Sequence, residues 1–235
     1  MKLTLRKKPV KAIVIAGFPG YGLVGTIATK FLIEHLDCER IGSIESDRFL
    51  PLAAIHKKHL IGPVEIFYNK KYNLIILQTL SQVGNLEWQI SDLLVNMIKN
   101  IKAKELIVLE GTQGTGKTKV YGYTSGGDLG KLGIEPLQEG VLMGVTATLL
   151  LKAKKTVPVS CIFAESKSQL PDTEAAAEII KVLDTYLGMN IDFKPLVDTA
   201  RKFEVKLKEM MGKQKQVSQG FPGYKEEKND LDYLG

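Results

Sequence analysis

Cysteine is scarce: the 235 residues hold two, Cys38 and Cys161, far apart and in no C-x-x-C pair. That excludes a disulfide framework and a paired-cysteine redox or zinc motif, and it fits a reduced, cytoplasmic chain with buried thiols. Long apolar runs are missing as well. No stretch approaches the ~18 residues that a membrane-spanning helix requires, and the basic start "MKLTLRKKPVKAIVIAGF" has too short an apolar core for a secretory signal. No membrane partner is expected. Histidine numbers three, and His56-Lys57-Lys58-His59 has no cysteine or carboxylate at metal-ligand spacing, so it reads as surface. There is no G-x-S-x-G elbow. The net charge of +6 comes from scattered lysines and arginines without interleaved aromatics, which argues against nucleic acid.

What is present is alternation. "AIVIA" (12–16), "YNLIILQT" (72–79), "ELIVLE" (105–110) and "VPVSCIFAES" (157–166) are apolar runs suited to buried strands, with a further strand in "ERIGSIES" (39–46). Between them, "GLVGTIATKFLIEHL", "NLEWQISDLLVNMIKNI", "EGVLMGVTATLLLKAK" and "PDTEAAAEIIKVLDTYLG" repeat apolar residues at helical spacing. Asn85 is the expected cap of the second helix; Asp172 or Thr173 caps the last of these, and Gly188 stops it. Residues 49–68, broken by Pro51, Gly62 and Pro63, suggest a hairpin region. A further helix is expected over 194–211, with an apolar stripe close to a heptad seam that packs on its own domain or between subunits. The pattern predicts an α/β sandwich with a mainly parallel central sheet, one domain over 1–212, and a flexible polar tail over 213–235.

Two nucleotide-type motifs stand out. Gly20-Tyr21-Gly22-Leu23-Val24-Gly25 fits G-x-G-x-x-G between a strand and a helix, with Glu45 twenty residues on. Gly17-Phe18-Pro19 intervene, however, lengthening the turn and placing a proline where backbone donors are wanted. Gly111-x-x-x-x-Gly116-Lys117-Thr118 is a full P-loop match. A P-loop feeds its Lys-Thr into a helix, whereas Lys119 to Gly127 hold three further glycines' worth of helix breakers and β-formers: Gly122, Gly126, Gly127, Val120, Tyr121 and Tyr123. Both matches therefore read as false positives, and no cofactor is expected. The alternative, a nucleotide-binding hydrolase or transferase, would use Gly20, Gly22, Gly25, Glu110, Gly116, Lys117 and Thr118. Glu110, at a strand end between the loops, is the acid of most interest.

Three ordered segments carry a resemblance. "GFPGYGLVG", "LEGTQGTGKTKVYG" and "PDTEAAAEIIKVLDTYLGMNIDFKPLVDTA" together resemble archaeal members of the proteasome assembly chaperone 2 family, over about residues 9–211. The resemblance implies a three-layer α/β sandwich similar to nucleoside phosphorylases and related hydrolases. It also implies an ATP-independent, non-enzymatic chaperone or activator that forms homo-oligomers and engages proteasome α subunits or the 20S particle. Tails of proteasome activators dock a terminal hydrophobic-Tyr-any sequence; here the chain reads Leu231-Asp232-Tyr233-Leu234-Gly235, with Tyr one place early. Leu231, Tyr233, Leu234 and Gly235 are the expected partner contacts. The tail also repeats residues 17–21, "GFPGY", at 220–224, which would let it copy that loop's contacts.

Overall fold

A computed structural model describes residues 1–56, 58–114, 118–126 and 129–192. The expected helix over 194–211, the domain end at Gly212, the tail and its repeat of "GFPGY" lie outside the described residues.

The apolar runs form the middle of a nine-stranded sheet because their side chains are covered on both faces. These strands are β2 (Ile13–Gly17), β7 (Leu74–Thr79), β8 (Glu105–Gln113) and β11 (Val159–Ser166), lying side by side and parallel as β7-β2-β8-β11. The flanks are antiparallel. On one side β7 pairs β6 (Val64–Asn69), which pairs β3 (Glu39–Glu45), which pairs the edge strand β1 (Lys2–Leu5). On the other side β11 pairs β9 (Val120–Thr124), whose parallel neighbour is the two-residue β10 (Glu135–Pro136). The α/β sandwich expected from the sequence is present. Its sheet is mixed, with four parallel strands at the centre and antiparallel pairings on either side of them, because short connections such as β6–β7 can only reverse direction. Two short strands, β4 (Ala54–His56) and β5 (His59–Ile61), make the expected hairpin as a separate ribbon.

Period-two alternation divides the core. Val14, Ala16, Ile75, Leu77, Leu106 and Val108 point to one side, beneath α2 (Glu87–Asn100) and α4 (Gly144–Ala153). Ile15, Leu74, Ile76, Ile107 and Leu109 point to the other, beneath α1 (Val24–His35) and α5 (Thr173–Leu187), with the short α3 (Leu129–Leu132) beside α5. The two helices of the first layer are joined by a buried hydroxyl pair, Ser91 with Thr148, at 2.6 Å. Among the described residues no helix is long and apolar enough to cross a membrane.

Helix ends show where local chemistry decides. Asp172 caps α5 by accepting from the Ala175 N–H at 3.0 Å, and Gly188 ends it in the left-handed region at φ 61°. The Asn85 cap of α2 is corrected: Leu86 holds that position, and Asn85 itself is left-handed at φ 62°. The Glu87 carboxylate reaches back to accept from the Asn85 N–H at 3.2 Å. The helix expected over 139–154 begins only at Gly144, whose φ of 68° follows an extended Met143. Residues 139–143 are loop, since two glycines so close together disfavour a helical start.

Candidate functional site

The carboxyl ends of β2, β8 and β11 meet the turn that opens α1, and this junction brings the first glycine-rich motif against Gly111 of the second. A Cβ on Gly17 would stand 2.2 Å from the Gly25 carbonyl oxygen, and one on Gly25 would stand 2.3 Å from that of Leu109. A Cβ on Gly111 would reach 2.0 Å from the Tyr21 carbonyl oxygen. Backbone therefore lies directly on backbone where α1 settles onto β2 and β8, as a third fingerprint glycine serves helix–strand packing in dinucleotide folds. Gly22 is left-handed at φ 63°, and a Cβ there would be 2.4 Å from the Ser166 Oγ. Gly20 differs, because a Cβ would meet nothing nearer than the Glu110 Oε1 at 3.6 Å.

The turn is tied down from the α5 side. The Asp172 N–H donates to the Gly22 carbonyl at 2.9 Å, and the Ser166 hydroxyl donates to the Asp172 carboxylate at 2.9 Å. Within the first "GFPGY", Gly17 and Phe18 are buried, Pro19 and Tyr21 are half-buried and Gly20 is exposed.

The P-loop match ends differently. Gly111 lies inside β8, Gly116 and Lys117 fall outside the described residues, and Thr118 leads within two residues into β9, which runs antiparallel to β11. The segment after the Lys-Thr is the strand β9, where a P-loop would feed directly into a helix. The Thr118 hydroxyl is buried with no partner among the described residues.

Glu110 shares the alternation of Leu106 and Val108, and therefore faces the α4 side, paired in register with Phe163. Burial pushes its carboxyl above the usual carboxylate range, and a hydrogen bond with Thr146, in the first turn of α4, partly offsets this. Its Oε2 is buried and unpartnered among the described residues. Nearby, the Tyr121 hydroxyl donates to Glu165 at 3.3 Å. The thiols are not poised for chemistry. Burial, then Asp37, pushes Cys38 up to about 12, and burial, then Glu110, drives Cys161 upward too. The structure thus brings together Gly20, Gly22, Gly25, Glu110 and Gly111, and adds Thr146, Ser166 and Asp172. Thr146 and Ser166 carry no motif in the sequence; only the strand alternation and the approach of α4 reveal them.

The state of Glu110 has a measurable consequence. A folded-state pKa above the unfolded value means the native protein holds this proton more tightly, so the group stabilises in acid and that contribution is lost as pH rises through the folded pKa. Glu110→Gln, which mimics the protonated acid, is expected to melt at the wild-type temperature in acid and above it at pH 8. Parallel melting curves across pH 4 to 8 would show that the carboxyl titrates as it does in the unfolded chain.

The model of the PAC2 family matches residues 14–211. The chain belongs to the PAC2 family. This is the family that the three sequence motifs resemble, and its membership agrees with a non-catalytic role for the glycine-rich loops. Among solved structures, PbaA of Pyrococcus furiosus, an archaeal homolog of proteasome-assembly chaperone, is 28% identical with a TM-score of 0.80, covering 92% of this chain and 99% of its own. PbaB of the same organism, an archaeal proteasome activator, is 22% identical with a TM-score of 0.73, over 89% of this chain and 98% of its own, a likeness of fold. Protein MJ0106 of Methanocaldococcus jannaschii, which is uncharacterized, is 29% identical over 202 residues, 84% of each chain.

Proposed function

We propose that this PAC2 protein is an ATP-independent proteasome assembly chaperone or activator. It binds proteasome α subunits or the 20S particle by protein–protein contact in the cytoplasm, associates with copies of itself, and uses the tail 213–235 for contact through Leu231, Tyr233, Leu234 and Gly235. The observation that carries this reading is the similarity to PbaA over nearly the whole of both chains. The packing of the glycine-rich loops supports it, because glycines that seat a helix on a sheet are not free to wrap a phosphate. Nucleotide has no part in the action.

Native mass spectrometry of the full-length protein with cognate α subunits and 20S particles, in nucleotide-free buffer, tests the reading. A complex is expected for the full chain and not for a version ending at Gly212. A complex that survives truncation would move the contact onto the folded domain. Absence of binding by both forms would overturn the proteasome assignment.

A further inference from the structure

The β4–β5 ribbon stands outside the nine-stranded sheet and carries an unusual surface. Ile55 and Leu60 pair directly across its strands, yet they are 80% and 65% exposed. Leu50 and Leu52, just before it, are exposed as well. Single exposed apolar residues are ordinary, but these four fall within residues 50–60 of one projecting element. A two-stranded ribbon is marginal alone in water, and a cross-strand apolar pair stabilises it well only when something covers the pair. Beside the pair, the ribbon is basic: Lys58 and His59 are exposed, and the chain has Lys57 next to them.

A surface of the opposite kind lies at the far edge of the sheet. Along β10, Tyr121, Leu137, Glu135 and Glu139 line an open groove of about 460 Å³. In the segment that follows, between β10 and α4, Val141 and Met143 are 90% and 77% exposed. One element is basic and apolar, the other acidic and apolar. They cannot meet within one molecule: the ribbon joins β3 to β6, and six strand steps separate β6 from β10, roughly 29 Å at the usual strand spacing.

We propose that the β4–β5 ribbon of one copy seats in the β10 groove of the next, with Ile55 and Leu60 against Tyr121 and Leu137 and with Lys58 facing Glu139. The contact joins two different surfaces, so it propagates head to tail and closes into a ring if its rotation permits. This rests on the self-association proposed above and assigns the surfaces that perform it.

Light-scattering mass of the full-length protein provides the test. The wild type is expected to be oligomeric, and an Ile55→Asp/Leu60→Asp variant monomeric with unchanged circular dichroism. Lys58→Glu and Glu139→Lys are each expected to weaken association about tenfold through like-charge contact, and the two together to restore it. An oligomer that persists in Ile55→Asp/Leu60→Asp overturns this assignment and leaves self-association standing. Failure of the double charge swap to restore the oligomer removes the β10 groove as the seat. A monomeric wild type overturns both the assignment and self-association.

Discussion

Replacing Gly111 with alanine is expected to cost more than about 4 kcal/mol and to leave little folded protein. The added Cβ would stand 2.0 Å from the Tyr21 carbonyl oxygen and 2.8 Å from the Val24 Cγ2. No rotamer change relieves the first collision, since both partners are main chain: β8 is held by β2 and β11, and the Tyr21 turn is held by Gly17, Gly25 and Asp172. Overpacking of a few methylenes costs about 1–3 kcal/mol where side chains can yield; here the sheet and the helix start would have to separate. Gly20→Ala is the matched control, because its Cβ meets nothing closer than 3.6 Å and the change should stay within about 0.5 kcal/mol. Urea denaturation of both variants separates the two cases. A Gly111→Ala protein as stable as Gly20→Ala would mean the junction is soft, and the packing account of the glycines would fall.

That contrast shows why the motifs read ambiguously in the sequence. A glycine that lets backbone meet phosphate and one that lets backbone meet backbone are the same letter, and only a neighbour distant in the chain, Leu109 of β8, distinguishes Gly25 from Gly20. The segment after Thr118 was more legible, since valine, tyrosines and glycines disfavour a helix, and a strand forms there. The α5 limits were legible because Asp172 and Gly188 act through their own local chemistry. The start of α4 was not: residues 139–143 carry apolar spacing that suits a helix, and the left-handed Gly144 overrides it. The short strands β1 and β10 lie at the sheet's edges, where four and two residues give no periodicity to read. Strand direction is likewise absent from hydrophobic pattern, which is why the antiparallel flanks emerge only from the pairing. Of the candidate site, Glu110 was visible as an acid closing an apolar run, while its contact with Thr146 depends on a helix more than thirty residues on.

Arg40→Met is expected to destabilise the protein by about 3 kcal/mol, the low end for breaking a buried ion pair because the guanidinium is half in water. Its partner is not: the Arg40 side chain is 43% exposed and that of Glu65 is 1%. Arg40 holds Glu65 in a two-pronged contact, through Nε to Oε2 and through Nη2 to Oε1 at 2.8 Å. Glu65 also accepts from the Gly62 N–H at 2.7 Å, so the same carboxylate anchors the point where the β4–β5 ribbon rejoins the sheet. Removing the arginine strands a charge inside the β3–β6 face, and the ribbon's anchor is weakened with it. The two effects separate in a double-mutant cycle. Glu65→Gln keeps an acceptor for Gly62 while discarding the charge, so Arg40→Met should cost much less in that background than in the wild type. Equal costs in both backgrounds would show that Arg40 acts through packing alone. A variant that keeps the Gly62 contact should also keep the ribbon in place, and self-association should then follow the Gly62 anchor rather than the ion pair itself.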